Sequence, residues 1–176
     1  MRGVYPGSFN PPTVGHLAII EAAIEQHALA SLDLVVSRRP LAKGIVERPT
    51  LADRVAVLRE SVSHFDIVRV VVTDLQLIAN IADGYDVVVM GADKWRQVND
   101  VDFYESPRHH DECLARLPRL SIAARGDDPL PDEARLDLPD HIGEVSSSGA
   151  RSGTLEWMTP AARRFARHRG GWGEPR

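Results

Sequence analysis

Cysteine is nearly absent from this 176-residue chain, and the single copy, Cys113, rules out an intramolecular disulfide. Long apolar runs are lacking as well, so no helix of about 20 consecutive apolar residues is available to cross a bilayer. There is no excess of positive charge: the formal net charge is -4 and the pI near 6.0, which excludes a global basic field that would recruit nucleic acid. The N-terminus lacks the charged-then-apolar pattern of a signal peptide. Together these absences predict a soluble cytoplasmic protein whose partners are small molecules, with no membrane and no nucleic acid. Two phosphate-binding patterns are also missing. No GxxxxGK[ST] loop occurs, and the first turn does not spell GxGxxG, so P-loop hydrolysis and dinucleotide redox chemistry lose support. There is no internal repeat at solenoid spacing, and nothing in the pattern specifies an oligomeric state.

What is present reads as one α/β domain over residues 1–169, followed by a flexible tail over 170–176. Gly3-Val4-Tyr5 forms a short strand entering a Gly/Pro-rich turn. Leu17, Ile20, Ala23 and Ile24 recur at helical spacing, and Leu32 to Val36 is a β-branched run of the kind that buries both faces. Thr50 can cap a helix carrying Leu51, Val55 and Leu58. A strand at Val68 to Val72, a short helix near Leu75 to Ala82 and a strand at Asp86 to Met90 follow. Further strands are expected at Leu120 to Ala124 and near Ile142 to Val145. Thr159-Pro160 opens a basic C-terminal helix through Arg163, Arg164 and Arg167. Residues 93–106 read as a loop with substrate contacts. Val-rich strands alternating with helices predict a doubly wound, Rossmann-like parallel sheet with helices on both faces.

In such a sheet the ligand sits at the carboxyl end of the strands, beside the first βα connection. Here that connection is Gly7-Ser8-Phe9-Asn10-Pro11-Pro12-Thr13-Val14-Gly15-His16. Gly7 and Gly15 allow close backbone approach, the prolines hold the loop extended, and the amides opening the helix favour anions. His16 can donate to a phosphoryl oxygen and stabilise charge on a transferring group, and Thr13 can bind the same phosphate. Later, Val145-Ser146-Ser147-Ser148-Gly149-Ala150-Arg151 offers serine hydroxyls for phosphate oxygens and, in Arg151, a charge-assisted fork for a departing pyrophosphate. Arg54, on the second helix, either reaches a ligand or forms an ion pair on the helix surface. His109-His110-Asp111-Glu112-Cys113 has metal-ligand residue types at poor spacing and no second cluster, so it reads as a polar helix start with no protein-held metal.

Tyr5-Pro6-Gly7-Ser8-Phe9-Asn10-Pro11-Pro12 followed by Thr13-Val14-Gly15-His16 resembles the nucleotidyltransferase superfamily, whose mark is [HT]xGH after the first strand. The turn Val145 to Arg151 resembles that superfamily's second mark, ISSTxxR or ISSSxxR. The resemblance implies attack of an acceptor phosphate on the α-phosphorus of a nucleoside triphosphate, with Mg²⁺ accompanying ATP and no covalent enzyme intermediate. It casts His16 and Arg151 as catalytic, with Gly7, Ser8, Phe9, Thr13, Gly15, Ser147 and Ser148 at the nucleotide phosphates. Two branches offer an acceptor. Asn10-Pro11-Pro12 and Met90-Gly91-Ala92-Asp93 resemble the nicotinate or nicotinamide mononucleotide adenylyltransferases, the first expectation, in which Asp93 contacts ribose hydroxyls. Tyr5 to Phe9, Thr13 and Asp102-Phe103-Tyr104-Glu105 resemble the pantetheine-phosphate adenylyltransferases, the second. Lys43 lies near the place of a family phosphate-binding lysine, with a solvated surface role as the alternative. Trp95 either stacks on the acceptor ring or fills a satellite hydrophobic cluster. A cytidylyltransferase, and a nucleotide-binding module without turnover, are the competing functions.

Overall fold

The computed structural model describes residues 1–40, 48–124, 129–169 and 171–172. Six parallel strands form one sheet in the order β3-β2-β1-β4-β5-β6. They are β1 (Arg2–Pro6), β2 (Ser31–Ser37), β3 (Val68–Thr73), β4 (Val87–Gly91), β5 (Arg119–Ala123) and β6 (Arg135–Leu136). The expected doubly wound α/β sheet is therefore present, with its reversal of strand order between β1 and β4.

The helices α1 (Val14–Gln26), α2 (Leu51–Ser61), α3 (Ile78–Ile81), α4 (Ala92–Val98), α5 (Pro107–Ala115), α6 (Ser147–Arg151) and α7 (Pro160–Arg169) complete the layers. Side-chain alternation along the strands divides the core. Val87 and Val89 of β4 pack with Ile20 and Ala23 of α1 and Leu58 of α2, whereas Val88 and Met90 pack with Ile78 and Ile81 of α3 and Val98 of α4. Both faces of β4 are covered, which is why its sequence is unbroken Val-Val-Val-Met rather than alternating.

Thr50 caps α2 as expected, its Oγ1 accepting from the Asp53 amide at 3.1 Å. Thr159 likewise accepts from the Ala162 amide at 3.2 Å. Two expectations are corrected. The segment after β4 is α4 and a 3₁₀ turn at Val101–Phe103, because Ala92, Trp95 and Val98 recur at helical spacing that its polar residues masked. No strand forms at Ile142 to Val145: Asp140–Ile142 is a 3₁₀ turn, and Ile142 and Val145, three residues apart, are both buried as turn spacing dictates. The sixth strand is Arg135–Leu136 instead. Of the expected tail, residues 170 and 173–176 lie outside the described residues; Trp172 is buried with residues of α2 and α7, its indole N–H donating to the Ala162 carbonyl at 3.0 Å, because so large an apolar surface gains more by docking than by hydration. No helix among the described residues is long and apolar enough to cross a membrane.

Candidate active site

The β1–α1 loop opens at the topological switch point, where a cleft of ≈ 570 Å³ lies over the carboxyl ends of β1, β2, β4 and β5. That is the size and place expected of a small-molecule site in an open parallel sheet. The cleft is lined by the loop itself, by Arg54 of α2, by Asp93, Lys94 and Gln97 of α4, and by Ser146 to Ser148 with Arg151.

His16 is held by a reciprocal cap. Thr13 is the N-cap of α1; its Oγ1 accepts from the His16 amide at 3.3 Å, and its own amide donates to His16 Nδ1 at 3.0 Å. An Nδ1 that accepts from a main-chain N–H carries no proton, so the ring's proton sits on Nε2. The imidazole rests on the buried Phe9 ring, with centroids 5.0 Å apart, and Phe9 in turn meets Tyr5 edge to face at 5.3 Å. Phe9 adopts φ +45°, a left-handed conformation that costs an unbranched aromatic about 1 kcal/mol or more and is held by the burial of its ring.

The loop's carbonyls are tied down one after another. Arg54 Nη1 donates to Ser8 O at 3.3 Å, Arg151 Nη1 donates to Asn10 O, Ser147 Oγ donates to Pro11 O at 2.8 Å, and the Thr159 amide donates to Pro12 O at 3.1 Å. With its oxygens engaged in this way, the loop keeps the amides of Ser8 and Phe9 without partners among the described residues. Those two N–H groups are main-chain donors beside the cleft that the protein itself leaves unspent, whereas the His16 amide in the first turn of α1 is taken by Thr13.

The glycines serve packing more than phosphate approach. The Gly7 amide is spent on Val35 O at 3.0 Å, and a Cβ there would come within 2.8 Å of the Phe9 ring. A Cβ on Gly15 would lie 3.1 Å from Val145, so the two sequence motifs touch through this pair. Gly149 is small because Trp157 lies over it, and Ala150 beside it is fully buried.

Of the expected site residues, Gly7, Ser8, Phe9, Thr13, Gly15, His16, Ser147, Ser148, Arg151 and Asp93 all line this cleft. Ser147 reaches the loop rather than open space, and Ser148 Oγ accepts from Arg151 Nη2 at 3.3 Å. Asp93 is paired with Arg96 one turn on. Trp95 does not line the cleft: it packs against the core on the Val88 and Met90 face of the sheet, a main core layer rather than a satellite cluster. Lys43 lies outside the described residues. Arg54 is buried rather than paired on the helix surface. Lys94 and Gln97 line the cleft and were missed; Lys94 Nζ donates to Gln97 Oε1 at 2.6 Å, and their i, i+3 spacing puts them on one face once α4 is recognised as a helix. Among the described residues no three His, Cys, Asp or Glu side chains converge on a metal-holding point.

The model of the cytidylyltransferase-like family matches residues 4–137. A phosphopantetheine adenylyltransferase of Neisseria meningitidis serogroup C is 31% identical over 149 residues, covering 84% of this chain and 75% of that protein. Another, from Corynebacterium glutamicum strain R, is 39% identical over 70 residues, 40% of this chain; the match spans only 41% of that relative's length. In structure the chain is similar to Plasmodium falciparum nicotinic acid mononucleotide adenylyltransferase complexed with NaAD, with TM-score 0.58 and 15% identity over 86% of this chain and 82% of that one. At that identity the likeness speaks for the fold. The sheet order, the Thr13-to-His16 cap at the switch point and a family match that takes in both the first strand and the sixth agree with one another: the chain belongs to the cytidylyltransferase-like family of nucleotidyltransferases.

Proposed function

We propose that this protein transfers an adenylyl group from MgATP to the phosphate of a small acceptor. The observation that carries the proposal is His16, fixed by the Thr13 amide with its proton on Nε2 in a cleft at the topological switch point. An acceptor phosphate oxygen attacks the α-phosphorus of ATP, the bond from that phosphorus to the bridging oxygen breaks, and pyrophosphate departs with the electron pair. His16 Nε2–H donates to an α-phosphoryl oxygen as charge builds there. The amides of Ser8 and Phe9 hold phosphate oxygens, and Arg151 braces the loop that presents them. Nothing in this sequence of events requires a covalent intermediate; catalysis is positioning and charge stabilisation. Mg²⁺ arrives as part of the nucleotide substrate, neutralising triphosphate charge.

For the acceptor, phosphopantetheine gains support from the Neisseria relative and from Trp95, which is engaged in the core instead of standing over the cleft as a ring-stacking platform. Nicotinate mononucleotide is the second reading, supported by Gly91-Ala92-Asp93 at the end of β4, which brings a carboxylate to the cleft for ribose hydroxyls. Pyrophosphate release with ATP and each acceptor in turn decides between them: turnover with one and not the other assigns it. ATP binding with no release from either acceptor would leave a nucleotide-binding module. Faster turnover with CTP would replace the adenylyl group by a cytidylyl one.

A further inference from the structure

Arg54 stands in the second turn of α2, yet it is only 7% exposed and lines the cleft. Among the described residues its guanidinium makes one bond, from Nη1 to the Ser8 carbonyl at 3.3 Å, Nε is buried without a partner, and no carboxylate pairs with the charge. A buried cation that has lost its hydration and gained one long bond to a neutral oxygen is poorly compensated. Burial alone holds its pKa below the ordinary guanidinium value, with no neighbouring anion to push it back. The group is anchored at Ser8 O, two residues along the loop from the Asn10 carbonyl that fixes Arg151. It therefore borders the same cleft as His16, with planar N–H donors to spare.

We propose that Arg54 is a substrate-binding residue whose buried guanidinium takes the oxygens of a substrate phosphate. The proposal rests on reading the cleft as a phosphoryl site. It completes what the free protein leaves unmatched: a dianionic phosphate supplies both the negative charge and the acceptor oxygens that the guanidinium lacks, while Nη1 keeps the loop in place.

The test is calorimetric titration of the full chain, without turnover, with ATP, inorganic pyrophosphate, 4′-phosphopantetheine and nicotinate mononucleotide in separate experiments. Arg54→Gln keeps an N–H donor for Ser8 O and removes the charge. It is expected to weaken at least one of these ligands tenfold or more and to flatten the salt dependence of that ligand's Kd, and the ligand affected identifies whose phosphate sits there. Arg54→Lys, which keeps the charge without the fork, should recover part of the loss. A folded Arg54→Gln protein that binds all four ligands as the parent does would overturn the proposal, since a role confined to the loop predicts that rescue. If Arg54→Gln does not fold, unchanged affinities in Arg54→Lys overturn it equally, as does a parent protein that binds none of the four. Because binding is read separately from turnover, failure to release pyrophosphate with any acceptor would sink the adenylyl-transfer reading while leaving the Arg54 contact standing.

Discussion

The main-chain amide of Thr13 donates to Nδ1 of His16 at 3.0 Å, so a peptide group rather than a carboxylate sets the tautomer of the imidazole. A carboxylate would favour the doubly protonated ring; an amide donor favours the neutral ring with Nε2–H. Nitrogen NMR of labelled protein at neutral pH should show a pyridine-type Nδ1 and a pyrrole-type Nε2 for His16. The reverse pattern would refute the assignment. His16→Ala should lower kcat by about 10²–10³-fold, the size of losing one donor to a transition-state oxygen. Loss of the reciprocal cap should cost about 1 kcal/mol of stability by urea unfolding.

Gly15 and Val145 are in contact across 130 residues of sequence, with a hypothetical Cβ on Gly15 only 3.1 Å from Val145. Gly15→Ala should destabilise the chain by about 1–3 kcal/mol, as overpacking does. Val145→Ala removes Cγ1, one of the two Val145 atoms at that distance, and leaves Cβ in place. The double variant should recover part of that loss in a thermodynamic cycle, whereas strict additivity would show that the two sites do not touch.

Trp172→Ala should cost about 3 kcal/mol, because the indole is buried against α7 and donates to Ala162 O at 3.0 Å. With Trp95 and Trp157, the other two tryptophans, replaced by Phe, its fluorescence should be blue-shifted and poorly quenched by iodide. Quenching equal to that of a free indole would show that Trp172 does not dock.

At the other end of the sheet Tyr85 donates to Asp33 Oδ2 at 2.6 Å, with the Arg2 guanidinium over its ring. Burial first, then the bond to Asp33 and that residue's charge, push the phenol from 10.0 up to about 12. Its contribution to stability is complete below pH 10.0 and disappears as pH rises through about 12, since the unfolded chain ionises first in that window. Thermal melts between these limits should fall less steeply for Tyr85→Phe than for the parent. Parallel slopes would exclude the linkage.

Much of the fold could be read from the chain because its cues are local. Val-rich strands buried on both faces leave unbroken β-branched runs, and Thr50 and Thr159 announce their helices by cap chemistry. Two elements were hidden for physical reasons. A two-residue strand such as Arg135–Leu136 carries no period at all, and α4 has too few apolar residues to stand out among Asp93, Lys94, Arg96 and Gln97. The place of the cleft was equally legible, since it follows from one loop at one end of one strand. The partners of that loop were not. That Gly7 answers to the Phe9 ring, that Gly15 answers to Val145, and that Arg54 is buried beneath Ser8 are facts of tertiary contact with no trace in the spacing of neighbours. Trp95 could be placed only after the helix that turns it inward was known.

The fastening of the Ser8 to Pro12 carbonyls also bears on how the molecule comes into being. Ser147 and Arg151, which grip Pro11 and Asn10, lie 136 and 141 positions downstream of them, so on the ribosome the loop is made well before the side chains that hold it. A nascent chain can pair β1 with β2 long before it can hold the loop between β1 and α1 in working shape. The loop's shape is therefore complete only with the arrival of the segment from Ser147 to Thr159, and a chain stalled short of it would carry the Thr13-to-His16 stretch without the grips on the Asn10, Pro11 and Pro12 carbonyls.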